Sequence, residues 1–470
     1  MTALATPRTD PIASGVAVDS RRARLDAGVR LGTLVGLWAA LLLVSYWWAS
    51  GGGIQDLAGW VTGLTSTGRL TGLLASVLLL AQVLLMARLP LVEHAFGQER
   101  LARLHRFVGF TSFNLMLAHI ALITYGYAAG RLTATPGTLW DLTVDDPGML
   151  LAAAGTLCLI MVVVTSVKAA RRRLRYESWH LLHLYAYLGV GLALPHQLWT
   201  GRDFIGSTAR IVFWWTLWAA SFGAVLIWRL GLPLWRSARY RLRVVSVVPE
   251  AADVLSVYLA GRGIARLNVE AGQFFSFRFL NGRGWSRAHP YSLSAAPDGR
   301  HLRITAKSVG DGSRALAMLR PNTRVLIEGP YGRLSARTRT RRRMAFIGAG
   351  VGITPLRALA EALPYNNHDD AVLLYRYSRQ MLFEAEFRAL SEQRGLRVLL
   401  LPGHRRAADS WLTDAAGNVD DLTALKFWIP DVADRDVYVC GPQAWADDVR
   451  RTTEAAGLSA DHFHVERFGW

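Results

Sequence analysis

Leu104–Ile120 reads LHRFVGFTSFNLMLAHI, an apolar run that carries His105 and His119 fourteen residues apart. On an α-helix that spacing leaves the two side chains within roughly 40° of each other and roughly 21 Å apart along the axis. Both rings therefore lie on one face, near opposite sides of a hydrocarbon core about 30 Å thick. A single intramembrane histidine is commonly a polar residue satisfied between helices. Two on one face require partners elsewhere in the chain.

The surroundings of this run are membrane-like. Hydrophobic residues make up 51% of the 470, concentrated in the first half. Spans are predicted near 31–50, 70–87, 107–127, 149–167, 181–199 and 211–228, each close to the roughly 20 residues that cross a bilayer. The first is too long and too late to be a signal-peptide core. The expectation is an all-α six-helix transmembrane bundle over 25–230, behind a disordered segment at 1–24 that is small and polar in composition.

The formal charge of +18 is placed by topology. Arg21, Arg22, Arg24 and Arg30 precede the first span, Arg88, Arg100, Arg103 and Arg106 lie between the second and third, and Lys168, Arg171, Arg172, Arg173 and Arg175 lie between the fourth and fifth. The alternate loops hold only Arg69, Arg131, Arg202 and Arg210. Positive loops stay cytoplasmic, so both termini are expected on the cytoplasmic side of the cell membrane. The same placement argues against a nucleic-acid partner. Two cysteines, Cys158 and Cys440, exclude a disulfide framework and a zinc site.

The partner pair is sought in the fifth span, Trp179–Trp199, WHLLHLYAYLGVGLALPHQLW. His183 and His196 are thirteen residues apart, roughly 20 Å along a helix but roughly 140° around it. Pro195 breaks the helix ladder just before His196 and eases that mismatch. His180 is worse in length and no better in angle, so it is read as an interfacial side chain. Two helices, each with a histidine near either face, can clamp two flat cofactors one above the other. Haem fits, since iron accepts axial imidazole and the porphyrin is apolar enough for a bundle interior. The expected metal ligands are His105 with His183 for an inner b-type haem, and His119 with His196 for an outer one.

After Arg241 the composition changes. YRLRVVSVV, VLSVYLAG, FFSFRFL and LRITAKSV are short, β-rich and turn-bounded, which predicts an antiparallel β-barrel over 238–335. It contains HPYSLSAAP (His289–Pro297), SVGDGSRAL (Ser308–Leu316) and EGPYGRL (Glu328–Leu334). Next, RMAFIGAGVGITPLRALAEAL runs from an apolar strand through a Gly-rich turn into a helix. Gly348, Gly350 and Gly352 let backbone approach a pyrophosphate, whose charge a helix N-terminus stabilises. AVLLYRYS, LRVLLL and DVYVCGPQAW continue a strand–helix–strand series, predicting an α/β doubly wound nucleotide-binding domain at 341–470. Arg376, at the end of the second strand of that domain, and Arg405 or Arg406 after LLLPGH are placed to meet an adenosine 2′-phosphate through the planar guanidinium fork, favouring NADPH over NADH.

Taken in order, the paired histidines, HPYSLS, GAGVGITP, VCGP and a C-terminal aromatic resemble the ferric reductase and NADPH oxidase superfamily over about residues 25–470. That resemblance implies a bis-haem membrane domain followed by a ferredoxin–NADP reductase-like module. It implies FAD held by His289, Pro290, Tyr291, Ser292 and Leu293, with its pyrophosphate at Gly310, Gly312 and Ser313. It implies the nicotinamide nucleotide at Gly348, Gly350, Gly352, Ile353, Thr354, Pro355, Cys440, Gly441 and Pro442. Soluble relatives usually carry Arg where His289 stands, which points to the membrane oxidase branch. Trp470 would cover the flavin until nicotinamide displaces it, and Ser292, Cys440 and Trp470 form the implied catalytic set. Electrons would pass from cytoplasmic NAD(P)H through FAD and both haems to oxygen or a ferric complex outside, or to a partner protein or quinone. With no calcium-binding loop, flavodoxin module or regulatory tail in the sequence, activation by those routes is not expected.

Overall fold

The computed structural model describes residues 20–466 apart from Arg172, Leu174, Arg175, Arg283, Gly284 and Asn366. Most of the segment expected to be disordered, 1–24, lies outside the described residues. The chain forms two compact units, one over Leu25–Gly231 and one built from Leu232 onward.

The helices that shape the first unit are α1 (Ser20–Trp48), α2 (Trp60–Met86), α3 (Gln98–Tyr127), α4 (Met149–Ser166), α5 (Tyr176–Leu192), α6 (Leu194–Trp199) and α7 (Thr208–Ala224). Among the described residues five segments are long and apolar enough to cross a bilayer: Arg24–Gly53, Trp60–Met86, Gln98–Tyr127, Met149–Ser166 and Thr208–Tyr240. The remaining expected span, 181–199, is not one continuous helix. It is split at Ala193 into α5, of 17 residues, and the short α6. Pro195 supplies no N–H to the ladder and crowds the carbonyl four residues back, which is the physical reason for the break.

The surface of this unit is inverted relative to a water-soluble bundle. Phe107, Phe110, Leu157, Leu181 and Val212 point outward, whereas Ser66, Ser76, Ser112, Gln197 and Ser221 are buried. Lipid is as apolar as leucine, so small and polar residues collect where helices meet. α2 packs along α3, and α4 along α5. The second pair approaches closely because both partners are glycine: a Cβ on Gly155 would stand 2.6 Å from the Gly189 carbonyl oxygen.

The second unit begins with α8 (Leu232–Tyr240), pinned to the flavin-motif strands by Ser237, whose Oγ accepts from the Ile327 amide at 3.0 Å. Two three-stranded antiparallel sheets follow. One has the order β1 (Arg243–Ala251), β2 (Val254–Ala260), β5 (His301–Lys307), and the other β4 (His289–Ser292), β3 (Phe274–Phe279), β6 (Val325–Tyr331). They share a core of Val257, Leu259, Phe275, Phe277, Leu293, Ile304 and Ile327. The closed barrel expected here is not what forms. Among the described residues the sheets are linked by the isolated bridges Arg243–Arg324 and Leu293–Ile304 and a few backbone hydrogen bonds beside them, such as Val325 N–H to the Leu242 carbonyl at 2.9 Å, and not by a continuous ladder. Register shifts in β1 and in the β3–β6 pair, together with Pro290 in β4 and Pro330 in β6, interrupt the hydrogen bonding that closure needs.

The remaining strands build one parallel sheet of order β11 (Phe463–Glu466), β10 (Asp436–Cys440), β7 (Met344–Ala349), β8 (Ala371–Tyr377), β9 (Arg397–Pro402). β7 is buried throughout, the pattern of a central parallel strand covered on both faces. From β7 the chain winds outward to β8 and β9, then returns to β10 on the other side. The strand order therefore reverses between β7 and β10, which opens a crevice at their carboxyl ends.

Candidate functional site

In the membrane unit, α3 carries His105 and His119, α5 carries His183, and α6 carries His196. The His105 and His183 rings meet edge-on, with centroids 6.0 Å apart and planes inclined by 66°. Metal–imidazole bonds are about 2 Å, so a metal between two facing imidazoles would hold the ring centroids roughly 6 Å apart. The pair fits a bis-imidazole iron in distance. His119 Nδ1 donates to the Gly68 carbonyl at 2.7 Å, and His105 Nδ1 to the Gln82 carbonyl at 3.3 Å. A carbonyl can only accept, so each Nδ1 keeps its proton and each Nε2 keeps a free lone pair, the arrangement of a metal ligand. His183 Nδ1 contacts Ser166 Oγ at 3.3 Å. His196 lies within Coulomb range of His119, its Nδ1 buried near the Ala193 carbonyl without a well-formed hydrogen bond.

Glycines in α2 make room for His119. A Cβ on Gly72 would stand 2.5 Å from His119 Nδ1, so only glycine leaves the ring free to reach the Gly68 carbonyl. Among the described residues no three His, Cys, Asp or Glu side chains cluster as a conventional metal site.

In the second unit the switch point brings the two predicted nucleotide motifs together. Gly348 of β7 pairs with Cys440 of β10. The Gly350–Gly352 turn follows β7 and leads into α10, where α9 is Asp311–Ala315 and α10 is Ile353–Ala362. Gly350 adopts φ +56, a left-handed conformation that glycine takes without strain. A Cβ on Gly352 would stand 2.4 Å from the Cys440 carbonyl oxygen. The Gly-rich turn and the CGP turn thus meet backbone to backbone. Cys440 is fully buried, and burial followed by the nearby Glu466 pushes its thiol well above the usual range. It stays a neutral thiol that shapes the crevice.

The two flavin-motif segments also meet. A Cβ on Gly312, in α9, would stand 2.3 Å from the His289 ring. Tyr291 packs near Phe277 and His289, and burial pushes its phenol up to about 12. Ser292 Oγ is buried and makes no hydrogen bond among the described residues, so a donor stands ready for a ligand at this strand. Of the two arginine candidates, Arg405 is engaged internally by Asp448 and by the Ser410 and Ala408 carbonyls. Arg376 sits at the carboxyl end of β8 with its Nε unpartnered.

Residues 71–194 match a family model described as the ferric reductase like transmembrane component, and residues 346–451 match an oxidoreductase NAD-binding domain. The chain has the architecture of the ferric reductase and NADPH oxidase superfamily. An NADPH oxidoreductase of Mycobacterium tuberculosis is 27% identical over 51% of this chain and 62% of its own length. A flavohemoprotein of Pseudomonas aeruginosa is 31% identical over 50% of this chain and 60% of its own. The matches thus span less than two thirds of these relatives. The flavohaem-like FAD/NAD binding domain of a Vibrio cholerae nitric oxide dioxygenase is 25% identical, covering 49% of this chain and 99% of that one at a TM-score of 0.39.

Two features of this chain leave no signature in the sequence. One is a buried ionic network of Arg303, Arg357, Glu361 and Glu386. The other is Asp436, fully buried at the start of β10. Its carboxylate accepts from the Thr340 amide at 2.6 Å, the Arg341 amide at 2.6 Å and His464 Nε2 at 3.0 Å. Burial raises its pKa, but His464 and the two amides outweigh that and hold it below the usual carboxylate range. A depressed native pKa contributes stability above the unfolded value of about 3.9 that is lost as pH falls through the native one. An Asp436→Asn variant should therefore melt lower than the parent at pH 7 and lose the parent's steep decline below about pH 4. Parallel acid limbs in a melting-temperature series would disprove this role. Trp470 lies outside the described residues.

Proposed function

We propose that this chain is a transmembrane oxidoreductase that carries electrons from cytoplasmic NAD(P)H to an acceptor on the opposite side of the cell membrane. The observation that carries the reading is the pair His105 and His183 at 6.0 Å, in the same chain as a nucleotide-type switch-point crevice. FAD, bound at the His289–Leu293 strand and the Gly310–Ser313 turn, would take a hydride and release electrons singly, and two b-type haems would carry them across the bilayer. The four histidines would hold the irons, with the Gly68 and Gln82 carbonyls fixing the tautomers of His119 and His105. Ser292 Oγ offers an unused donor to the flavin. Gly352 and Cys440 shape the floor on which the nucleotide lies. The arginine-rich loops orient both termini toward the cytoplasm.

Oxygen and ferric complexes are the proposed acceptors. Purified protein supplied with NADPH in air tests the reading: superoxide identifies an oxidase, and reduction of a ferric chelate under nitrogen a reductase. NADPH that reduces the haems without either product would indicate delivery to a partner protein or quinone. NADPH that reduces neither flavin nor haem would overturn the proposal.

Nucleotide preference should rest on Arg376. Its Nε is unpartnered, whereas Asp448 already neutralises Arg405. A charge-assisted contact with phosphate implies that Arg376→Ala raises the KM for NADPH about tenfold and leaves that for NADH nearly unchanged. Arg405→Ala should instead lower the melting temperature and spare the NADPH/NADH ratio. Steady-state kinetics with both nucleotides would show the reverse assignment if Arg405 is the phosphate ligand.

A further inference from the structure

Four charged side chains, far apart in sequence, join the flavin-motif sheets to the nucleotide-binding sheet. Arg303 projects from β5 and is almost completely buried. Its Nη1 and Nη2 donate to the two carboxylate oxygens of Glu386 at 2.7 and 3.0 Å. Nη2 also donates to the Ser294 carbonyl at 2.6 Å, and Nε to Ser294 Oγ at 3.1 Å. Glu386 lies in the first turn of α11 (Glu384–Arg394). Arg357, on α10 and equally buried, lies against Glu386, donates to Glu361 at 2.5 Å and reaches the same Ser294 carbonyl at 3.2 Å. Glu361, one turn further along α10, accepts from the Ala296 amide at 2.6 Å.

Ser294 and Ala296 immediately follow the His289–Ser292 strand, and α10 starts at the Gly350–Gly352 turn. One rigid helix therefore connects the proposed pyrophosphate turn to the segment just beyond the proposed flavin strand. Ser294 is held from the other side as well: its Oγ accepts from Thr305 Oγ1 at 2.7 Å, and Thr305 is linked to Ser256 Oγ at 2.7 Å. Two guanidinium groups and two carboxylates balance in charge, and the bidentate Arg303–Glu386 contact fixes direction as well as distance. Burial raises the Glu386 pKa, but hydrogen bonding to Arg303 and the charge of Arg357 hold it below the usual carboxylate range. Glu386 thus stays ionised at neutral pH. A core of apolar residues could join the two sheets as tightly. An ionic network sets their relative position within narrower limits.

We propose that Arg303, Arg357, Glu361 and Glu386 are positioning residues that clamp α10 against the Leu293–Ala296 segment and so set the approach of nicotinamide to flavin. The inference rests on the function proposed above, in which NAD(P)H gives up a hydride, a hydrogen with its electron pair, and leaves as NAD(P)+. Hydride transfer is steep in distance, and a misplacement of about 1 Å can cost on the order of a hundredfold in rate. The four residues need touch neither reactant to control it.

The test uses the full chain reconstituted with FAD and haem. Glu386→Gln keeps shape and removes charge from the centre of the network, and Glu361→Gln does so at its more exposed rim. Four quantities are measured: flavin content, NADPH affinity, the single-turnover rate of flavin bleaching with NADPH and its 4-deuterated form, and amide hydrogen exchange in the flavin-free protein. Flavin content and NADPH affinity should stay within about twofold of the parent, while bleaching slows by about ten- to a hundredfold and its isotope effect rises. Amide exchange over 293–296 should accelerate. If Glu386→Gln fails to fold, Glu361→Gln carries the same expectation with a smaller loss of rate. Flavin loss or a lower melting temperature, with an unchanged rate per bound flavin, would overturn the proposal in favour of a purely structural network. A parent whose flavin NADPH does not bleach would overturn the function and not the clamp, which unchanged exchange at 293–296 would overturn.

Discussion

A His119→Ala variant should retain one haem of the two proposed for the parent, and the remaining haem should still be reduced by NAD(P)H. His119 and His196 are proposed to share the iron farther from the cytoplasm, and His105 and His183 the nearer one. Haem held by two axial imidazoles depends on both, because an iron with one protein ligand loses the low-spin, six-coordinate state that suits electron transfer. Removing either outer ligand should halve the haem content in a pyridine-haemochrome assay and abolish delivery to the far side. His183→Ala should be more damaging, because it breaks the path between flavin and the outer haem: the outer haem should remain bound and respond to dithionite but not to NADPH. The 6.0 Å approach of His105 to His183 makes His183 the expected ligand in preference to His180. Two normal haems in His183→Ala would transfer that role to His180. Gly72→Val should mimic His119→Ala, since its side chain would occupy the space of the His119 ring.

The histidines were legible because an intramembrane imidazole is conspicuous against an apolar background, and helical spacing alone puts His105 and His119 on one face. Pro195 announced the break beside His196, and the structure places it at Ala193. The nucleotide-binding sheet was legible for a similar reason: a fully buried parallel strand leaves an unbroken apolar run, as in Met344–Ala349. Barrel closure was not legible, because it depends on hydrogen bonds between strand edges that bulges and prolines can quietly remove. Nor could the engagement of Arg405 be read. Asp448 lies 43 residues later on a different element and reaches it only through the sheet. Arg303 and Glu386 are 83 residues apart, with no period or motif to link them. Long-range ion pairs of this kind leave no local trace, and for that reason the clamp emerged only from the fold.

The nucleotide-binding turn allows a prediction that separates two glycines only two residues apart. Gly352 has φ −62 and ψ −10, a conformation open to any residue, so its backbone gives no reason for glycine. Space does. An added Cβ would stand 2.4 Å from the carbonyl oxygen of Cys440, 2.6 Å from its carbonyl carbon and 2.9 Å from Gly441 Cα. All three are backbone atoms of a central strand or the turn after it, and none can rotate away as a side-chain end would. Gly352→Ala must therefore push the Gly350–Gly352 turn away from β10 and distort the crevice at the switch point. Gly350 is the opposite case. It needs φ +56, yet nothing lies within 4 Å of the position of its Cβ, so Gly350→Ala incurs a conformational strain of about 1–2 kcal/mol and little steric conflict. NADPH affinity should fall by about a hundredfold or more in Gly352→Ala, because pyrophosphate binding needs backbone amides placed to within a fraction of an ångström. In Gly350→Ala it should fall about tenfold or less. Haem content, and haem reduction by dithionite, should match the parent in both, since neither residue belongs to the membrane unit. Equilibrium titration of NADPH, with haem spectra on the same samples, makes the comparison. If Gly352→Ala binds NADPH within threefold of the parent, the crevice between β7 and β10 is not where the nucleotide lies.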